Sequence, residues 1–287
     1  MVGRLPSARG VPLMGSAPPI LAIDGLQKTY GRGGLFGQNA GRRALDGVSM
    51  VLDGGGGQIL AVVGESGSGK TTLARIILRL VKADAGTVRI AGEPVVGRPD
   101  GTVDDQRLRQ LVQPIFQNPF ETFSLHLPVD QYLIRTAINL GDAATARNPE
   151  PAISAALSAV GLRREQLLGK GIRSFSGGEL QRISIARALI AKPRLIVADE
   201  PVSMVDASLR MTIVNLFRQL SRERGVAFVY ITHDLSTACY LSDRMAIMRH
   251  GQVVEFGRPE AILAAPDSAY TKALMAAIPT LDRRWID

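Results

Sequence analysis

A glycine-rich segment between a strand pattern and a helix pattern constrains this chain more than any other feature. Residues 59–63 read ILAVV, a short apolar run typical of a strand buried on both faces. Residues 64–71 read GESGSGKT, and apolar residues at 73, 76, 77 and 80 then give helical spacing from 70 to 80. The middle segment fits the P-loop pattern G-x4-G-K-[ST], which requires this strand, loop and helix context. The order therefore predicts an α/β fold that binds phosphate groups.

The residue types of the P-loop suit the triphosphate of a nucleotide. Gly67 and Gly69 lack side chains, so backbone N–H groups can approach an anion, and the N-terminus of the following helix attracts negative charge. Lys70 offers a compact positive charge to the β- and γ-phosphate oxygens, and Thr71 offers a hydroxyl to Mg²⁺. We predict that the nucleotide is held by Gly64, Glu65, Ser66, Gly67, Ser68, Gly69, Lys70, Thr71 and Thr72.

Two adjacent carboxylates follow another apolar run. Residues 195–198 read LIVA, and Asp199 and Glu200 come directly after them. With a P-loop in the same chain, Asp199 is placed to hold the Mg²⁺ shell, and Glu200 to orient water as a general base beside the γ-phosphate. Without the P-loop, the same pair would equally suit a solvated turn or the start of a helix.

Composition limits the class of protein. The 287 residues, 46% of them hydrophobic, suit one large domain or two small ones. The net charge of +8 is scattered along the chain, so a solvated basic surface explains it better than anionic lipid or an acidic partner, and no nucleic-acid partner is expected. A single cysteine, Cys239, excludes an internal disulfide and a cysteine metal cluster. The proline- and glycine-rich start is not expected to be a signal peptide, and no apolar run reaches the roughly 18 residues of a membrane span. Any membrane role is therefore expected to pass through a partner.

The chain alternates between strand and helix patterns, with one long helical interruption. Early strands are predicted at residues 21–26 and 48–52, with a glycine-rich loop at 31–41 between them. Helical patterns replace strands from about 118 to 174, which predicts an inserted helical subdomain. Strand and helix patterns then resume and indicate an α/β class, with a strand at 195–198, a helix at 209–220 and a strand at 227–231.

A second glycine segment narrows the interpretation. Residues 176–179 read SGGE (the SGGE segment), with Phe175 before them and LQR after them. With the P-loop and the acidic pair in this order, the chain resembles the ATP-binding subunits of ABC transporters from about residue 21 to 280. This segment looks like the family signature, with Glu179 where glutamine is commoner. The resemblance implies that Ser176, Gly177, Gly178 and Glu179 meet the γ-phosphate of ATP at a helix N-terminus. Alone, the segment would more often be a helix cap.

Further residues resemble family positions in the same order. Tyr30 resembles the aromatic residue that stacks on adenine, and Gln117 resembles the glutamine that reaches Mg²⁺ and the attacking water while linking to the helical subdomain. Ser203 and Asp206 resemble polar residues of a segment that crosses a dimer interface. His233 resembles the histidine that contacts the γ-phosphate. As isolated residues, Tyr30 would be a packing residue and His233 a structural hydrogen bonder.

The resemblance implies a fold and a domain organisation. The fold is a P-loop NTPase with a RecA-like core, an antiparallel β subdomain and an inserted α-helical subdomain that carries the signature. Residues 1–20 are expected to be a flexible tail, and 21–265 an ATP-binding domain with its helical subdomain at about 118–176. Residues 266–287 resemble the C-terminal extension of oligopeptide and dipeptide importers.

The resemblance also implies partners and a mechanism. Two ATPase subunits, identical or related, dock head to tail, and each ATP lies between one P-loop and the opposite SGGE segment. ATP binding closes the pair, and hydrolysis at Glu200 reopens it. This motion drives an integral membrane permease and serves a solute-binding protein indirectly, with the chain peripheral on the cytoplasmic face of the inner (plasma) membrane.

The closest family class is that of oligopeptide, dipeptide and nickel importers. The residues that carry this are GGLFG at 33–37, the GESGSG form of the P-loop and the tail at 269–279. A peptide is therefore the first expected cargo, while oligosaccharide, suggested by SMVD at 203–206, and nickel remain open. Some members have a cysteine-rich iron–sulfur segment, which the single Cys239 rules out here.

Two other functional classes stay open. A soluble ABC ATPase of translation or DNA maintenance would share the motifs. Translation members usually carry two cassettes in one chain, whereas this sequence has one, and DNA-organising members split the cassette with long coiled coils, for which the span from 70 to 176 has no room. An unrelated P-loop kinase or switch would leave the SGGE segment and His233 unexplained. Copurification with a permease, or with ribosomes or DNA, discriminates between transport and the first alternative.

Overall fold

The computed structural model describes residues 18–31, 41–97 and 101–277, which form two β-sheets and the helices around them. The strands are β1 (Leu21–Tyr30), β2 (Arg42–Leu52), β3 (Ile59–Val63), β4 (Ala85–Ile90), β5 (Glu93–Val96), β6 (Val112–Ile115), β7 (Leu195–Asp199), β8 (Ala227–Thr232), β9 (Arg244–Arg249) and β10 (Gln252–Gly257). The helices are α1 (Lys70–Ile77), α2 (Asp105–Leu111), α3 (Val129–Leu140), α4 (Ala143–Arg147), α5 (Glu150–Ala159), α6 (Gly177–Ile190), α7 (Ala207–Arg224), α8 (Leu235–Leu241), α9 (Pro259–Ala264) and α10 (Ala269–Ala276).

The larger sheet places the predicted site residues at one edge. Its strand order is β10-β9-β3-β8-β7-β6, with parallel pairing from β9 through to β6 and β10 antiparallel at the end. Every residue of β3 and β8 is buried, which explains why β3 is wholly apolar and β8 is apolar up to Thr232 at its end. Because β3, β8, β7 and β6 are neighbours and parallel, their carboxyl ends meet at the same edge. The P-loop, His233, the acidic pair and Gln117 each follow one of these strands.

The smaller sheet is antiparallel, in the order β2-β1-β4-β5. Its apolar face packs with α1 and one face of the larger sheet, through Leu26, Leu45, Leu73 and Val62 among others. In the β1–β2 pairing, Tyr30 lies opposite Arg42. This register brings the end of β1 and the start of β2 to the P-loop side of the molecule.

Helices α3, α4 and α5, with short 3-10 turns, occupy the stretch between β6 and α6, and α3 and α5 contribute to the apolar core on the other face of the larger sheet. Helix α6 runs through this core and is buried around most of its circumference, including Leu180, Ile183 and Leu189. A helix that is buried on most sides lies inside a protein, so α6 links the helical stretch to the sheet.

The structure confirms the α/β class, the antiparallel β sheet and each helix and strand predicted above. It also contains β4, β5, β6, β9 and β10, which the sequence reading missed. The helix after the P-loop was predicted to reach Leu80 but ends at Ile77, because Arg79 adopts a positive φ of 56° and Leu80 points to solvent.

The proposed domain limits stay predictions. Most of the N-terminal tail, the GGLFG segment and the last residues of the C-terminal extension lie outside the described residues. No helix in the described part of the chain combines the length and the apolarity needed to cross a bilayer.

Candidate functional site

A cleft of about 880 Å³ opens where the P-loop edge of the larger sheet meets the smaller sheet. It is lined by Tyr30, Arg42, Ala44, Ser66, Gly67, Gly69, Lys70, Thr71, Thr72, Gln117, Glu200 and His233. The structure thus brings the P-loop together with four residues that are far from it in sequence and were predicted for the same site: Tyr30, Gln117, Glu200 and His233.

The P-loop has a backbone that only glycine tolerates at its tightest points. Gly67 and Gly69 have φ values of 81° and 108°. A Cβ on Gly69 would lie 2.4 Å from the carbonyl oxygen of Ala44, and one on Gly64 would lie 2.2 Å from that of Met248. Helix α1 begins directly after Gly69, so its first backbone N–H groups, which have no partner within the helix, face the cleft.

The Lys70 side chain is buried and folded back onto the P-loop. Its Nζ donates hydrogen bonds to the carbonyl oxygens of Gly64 (2.6 Å) and Glu65 (2.9 Å). Burial lowers the pKa of Lys70, and the nearby carboxylates of Glu200, Asp199 and Glu65 oppose that shift. The ammonium group therefore lies at the cleft, held by carbonyl dipoles and within the field of three acids.

Asp199 ends β7 beside the hydroxyl of Thr71. Burial raises the pKa of the Asp199 carboxyl, against a hydrogen bond with Thr71 that lowers it. Its Oδ1 is buried and accepts no hydrogen bond from any described residue. A buried carboxylate oxygen without a partner, next to a hydroxyl, offers the hard oxygen ligands that Mg²⁺ prefers. Among the described residues there is no cluster of three or more His, Cys, Asp or Glu side chains that could hold a metal ion.

Glu200 turns back toward the cleft in a strained conformation. Its φ is 48°, and its N–H donates to the carbonyl oxygen of Ile231 on β8 (3.0 Å). Its Oε1 lies 2.9 Å from His233 Nδ1, within hydrogen-bond distance. The Glu200 side chain is 18% exposed, whereas that of His233 is 68% exposed. Positive φ at a residue other than glycine is uncommon and collects at functional sites, so the carboxylate is held in place rather than solvated freely.

Tyr30 and Gln117 also line the cleft. The Tyr30 ring is 41% exposed, and the Lys28 Nζ lies 5.5 Å from its centre. Gln117 is exposed just after β6, where the chain enters the helical stretch. Neither side chain is a core packing residue, so both are available to a molecule that occupies the cleft.

The SGGE segment does not line this cleft. Ser176 caps α6: Glu179 N–H donates to Ser176 Oγ (3.3 Å), while the Ser176 N–H (2.9 Å) and hydroxyl (2.8 Å) both donate to Glu179 Oε2. These bonds lower the pKa of Glu179. Asp206, at the start of α7, is also absent from the cleft lining. In the described part of the chain, the P-loop therefore lines the cleft and the SGGE segment lies outside it.

Arg42 is a cleft residue that the sequence reading missed. Its Nη2 donates to the carbonyl oxygen of Gly67 in the P-loop (3.2 Å). Arg42 and Arg43 are visible in the sequence as a basic pair, but only the pairing of Tyr30 with Arg42 in the smaller sheet shows which of the two reaches the P-loop. Arg43 instead forms an ion pair with Asp46.

Comparisons with known proteins extend these observations. A family model described as ABC transporter matches residues 45–203. The chain is 39% identical to the oligopeptide transport ATP-binding protein OppF of Salmonella typhimurium, over 84% of this chain and 70% of that protein. It is 38% identical to the glutathione import ATP-binding protein GsiA of Salmonella paratyphi A, over 92% of this chain and 42% of that protein.

A solved structure shares the fold. It is a dimeric ATP-binding cassette in a post-hydrolysis state, bound to ADP and phosphate. The match has a TM-score of 0.68 and 26% sequence identity, over 83% of this chain and 98% of that one. This similarity confirms, over most of the chain, the P-loop NTPase fold that the sequence resemblance implies.

Proposed function

Because this chain belongs to the ABC transporter family and is a nucleotide-binding ATPase of that family, we propose that it powers the import of peptides through a separate membrane permease. The observation that carries the proposal is the cleft that gathers the P-loop, Gln117, Glu200 and His233 while the SGGE segment lies outside it. The relatives OppF and GsiA are named for oligopeptide and for glutathione, itself a peptide, which favours peptide over oligosaccharide or nickel.

The P-loop holds the phosphates of ATP. Lys70 exchanges its contacts with the carbonyl oxygens of Gly64 and Glu65 for the β- and γ-phosphate oxygens, and the N-terminus of α1 adds backbone donors. The exposed ring of Tyr30 stacks on the adenine. Each of these groups already faces the cleft, so binding needs side-chain movement rather than refolding of the loop.

Thr71 and Asp199 fit a Mg²⁺ ion, with Gln117 as a further oxygen ligand. The orphaned Asp199 Oδ1 beside the Thr71 hydroxyl supports this assignment. When bound, the ion neutralises charge that develops on the phosphate oxygens. The chain's own part is to hold the carboxylate and the hydroxyl at the ends of β7 and the P-loop.

Glu200 acts as the general base. Its carboxylate orients a water molecule toward the γ-phosphorus and takes a proton from it as the new P–O bond forms and the bond to the ADP oxygen breaks. His233 holds Glu200 Oε1 at 2.9 Å and presents its exposed ring to the γ-phosphate. The strained backbone of Glu200 keeps the carboxylate from relaxing into solvent.

A second ATP-binding subunit, identical or related, completes the site. Its SGGE segment brings the N-terminus of α6, with Ser176 and the glycine N–H groups, to the γ-phosphate from the opposite side, and Asp206 adds a contact across the interface. Closure on ATP and reopening after hydrolysis pass through Gln117 to the helical stretch at about 118–176, and from there to the permease.

The chain is accordingly placed on the cytoplasmic face of the inner (plasma) membrane, peripheral to the permease, with a solute-binding protein on the other side. The test is purification of the tagged chain from detergent-solubilised membranes. We expect an integral permease to copurify, and the solute-binding protein of the same transporter to bind oligopeptides. Copurification with ribosomes or DNA instead would overturn transport, and binding of nickel or oligosaccharide alone would overturn the peptide assignment.

Arg42 provides a further test of the nucleotide site. Arg42→Ala is expected to weaken binding of a fluorescent ATP analogue by roughly fivefold, because one charge-assisted hydrogen bond to the P-loop is lost. Arg43→Ala is the matched control, since Arg43 pairs with Asp46 and does not line the cleft. Equal affinities for both variants would exclude a role for Arg42 in the site.

A further inference from the structure

A helix near the C-terminus contacts the backbone of the P-loop directly. The N–H of Glu65 donates a hydrogen bond to the hydroxyl oxygen of Tyr270, on α10, at 3.0 Å. The carbonyl oxygen of Glu65 accepts from Lys70 Nζ at 2.9 Å. Both backbone polar groups of this P-loop residue are therefore held, one by α10 and the other by the P-loop lysine.

The Tyr270 ring is itself rigidly supported. It is 6% exposed and belongs to an apolar cluster that includes Val63, Met245 and Ile247 of the larger sheet. The Arg249 guanidinium lies 4.8 Å from the centre of the ring, in cation–π contact. The hydroxyl that meets the P-loop is therefore delivered from a fixed position.

The start of α10 is also anchored to the sheet. Ser268 caps the helix by accepting a hydrogen bond from the Tyr270 N–H at 3.1 Å, and its own N–H donates to Glu255 on β10 at 2.7 Å. These contacts tie α10 to the same edge of the larger sheet that carries β9 and β10. Movement of the start of α10 away from the sheet would break the bond between Ser268 and Glu255.

We propose that Tyr270 is a positioning residue for nucleotide binding, which holds the first turn of the P-loop in the shape that the phosphates require. The inference rests on the proposed function of the cleft. Without the Tyr270 hydroxyl, the part-buried N–H of Glu65 loses its partner, and the loop between β3 and Gly67 gains other conformations. Nucleotide then binds only those molecules whose P-loop has the competent conformation. The apparent nucleotide affinity falls in proportion to that fraction of molecules.

This role brings α10 into the site although it lies beyond the segment that the family model matches. Tyr270 is not among the residues that line the cleft. It acts through the backbone of Glu65, so its effect should fall on binding rather than on the chemical step.

The experiment compares Tyr270→Phe with Thr271→Val in the full chain. The first variant keeps the ring and its contact with Arg249 but removes the hydroxyl. The second removes the neighbouring hydroxyl, which is buried and has no hydrogen-bond partner among the described residues. Hydrogen exchange of the P-loop amides without nucleotide, affinity for a fluorescent ADP analogue, and KM and kcat for ATP are measured for both variants and the wild type.

For Tyr270→Phe we expect faster exchange at the Glu65 amide, by about tenfold, and roughly fivefold weaker nucleotide binding. KM for ATP should rise while kcat stays within about twofold of wild type. Thr271→Val should match the wild type in every measurement. In the wild type without nucleotide, the Glu65 amide should be protected from hydrogen exchange. This measurement does not depend on the folding of any variant.

Several results would overturn the inference. The first is an unprotected Glu65 amide in the wild type, and the second is a wild-type exchange rate at that amide in Tyr270→Phe. The third is an equal loss of nucleotide affinity in both variants. The fourth is faster amide exchange in Tyr270→Phe with unchanged nucleotide affinity, because the hydrogen bond would then be structural only. Failure of the proposed function would look different. It would appear in the wild type itself, as absent ATP hydrolysis, whereas failure of this inference appears in the comparison of variants or in the exchange data.

Discussion

Glu200→Gln is expected to bind ATP with nearly wild-type affinity while hydrolysing it at least about 100-fold more slowly. Glutamine keeps the size of the side chain and an oxygen within reach of His233 Nδ1, so the cleft keeps its shape. It loses the negative charge and the ability to take a proton from water. Because hydrolysis is what reopens the ATP-bound pair in the proposed mechanism, closed dimers should accumulate.

Three measurements check this expectation: phosphate release, binding of a fluorescent ATP analogue, and light scattering with and without ATP. Glu223→Gln is the control, because Glu223 is an exposed acid on α7 that contacts Gln219 and does not line the cleft. It should hydrolyse ATP at the wild-type rate and stay open after turnover. Near-normal hydrolysis by Glu200→Gln would remove Glu200 from the role of base.

The parts of the site predicted from sequence are those that local chemistry specifies. The P-loop needs glycines where φ is positive and contacts are closer than any Cβ allows, so its residues are readable in one stretch. The acids after β7 and His233 after β8 are readable for a related reason. Each lies at or just after the end of a buried, mostly apolar strand, and parallel strands bring their carboxyl ends to one edge.

The parts that escaped prediction depend on pairings between distant segments. Strand β5 has only four residues, and β4, β9 and β10 carry polar or charged residues, so none of them shows a continuous apolar run in the sequence. Arg42 reaches Gly67 because of the register of β1 with β2. Tyr270 meets Glu65 across 205 positions of sequence, which no local pattern encodes.

The SGGE segment illustrates a different limit. Its residues were predicted to contact a γ-phosphate, and in the single chain they cap α6 through the bonds between Ser176 and Glu179. A helix cap and an anion site use the same N-terminal geometry, so one chain cannot distinguish them. Variants that inactivate the P-loop and the SGGE segment separately can distinguish these two roles.

Gly177→Asp is expected to slow ATP hydrolysis by at least about 100-fold, while the single chain still folds and still binds nucleotide. Gly177 is the first residue of α6, and a Cβ there would have as its nearest contact the Met204 carbonyl oxygen, at 3.6 Å. An acid in the first turn suits the helix dipole, so the fold tolerates it. Facing a γ-phosphate bound to the other subunit, the same carboxylate repels it.

The control for this variant is Gly171→Asp. Gly171 has open space around its Cβ position and an ordinary negative φ, so it accepts the same added charge near the SGGE segment without being part of it. Unfolding temperature and binding of a fluorescent ADP analogue should be close to wild type in both variants. Only Gly177→Asp should lose hydrolysis, and equal rates in the two would exclude the SGGE segment from the site.

Mixing Gly177→Asp with Lys70→Ala tests whether a second copy completes the site. Lys70→Ala lacks the P-loop charge but keeps its SGGE segment, so each variant alone is expected to be inactive. In a mixed dimer, the P-loop of the first variant meets the SGGE segment of the second, which restores one intact site. Random pairing should then return roughly a quarter of the wild-type rate if the sites act independently. A mixture no more active than its components would contradict completion by a second copy.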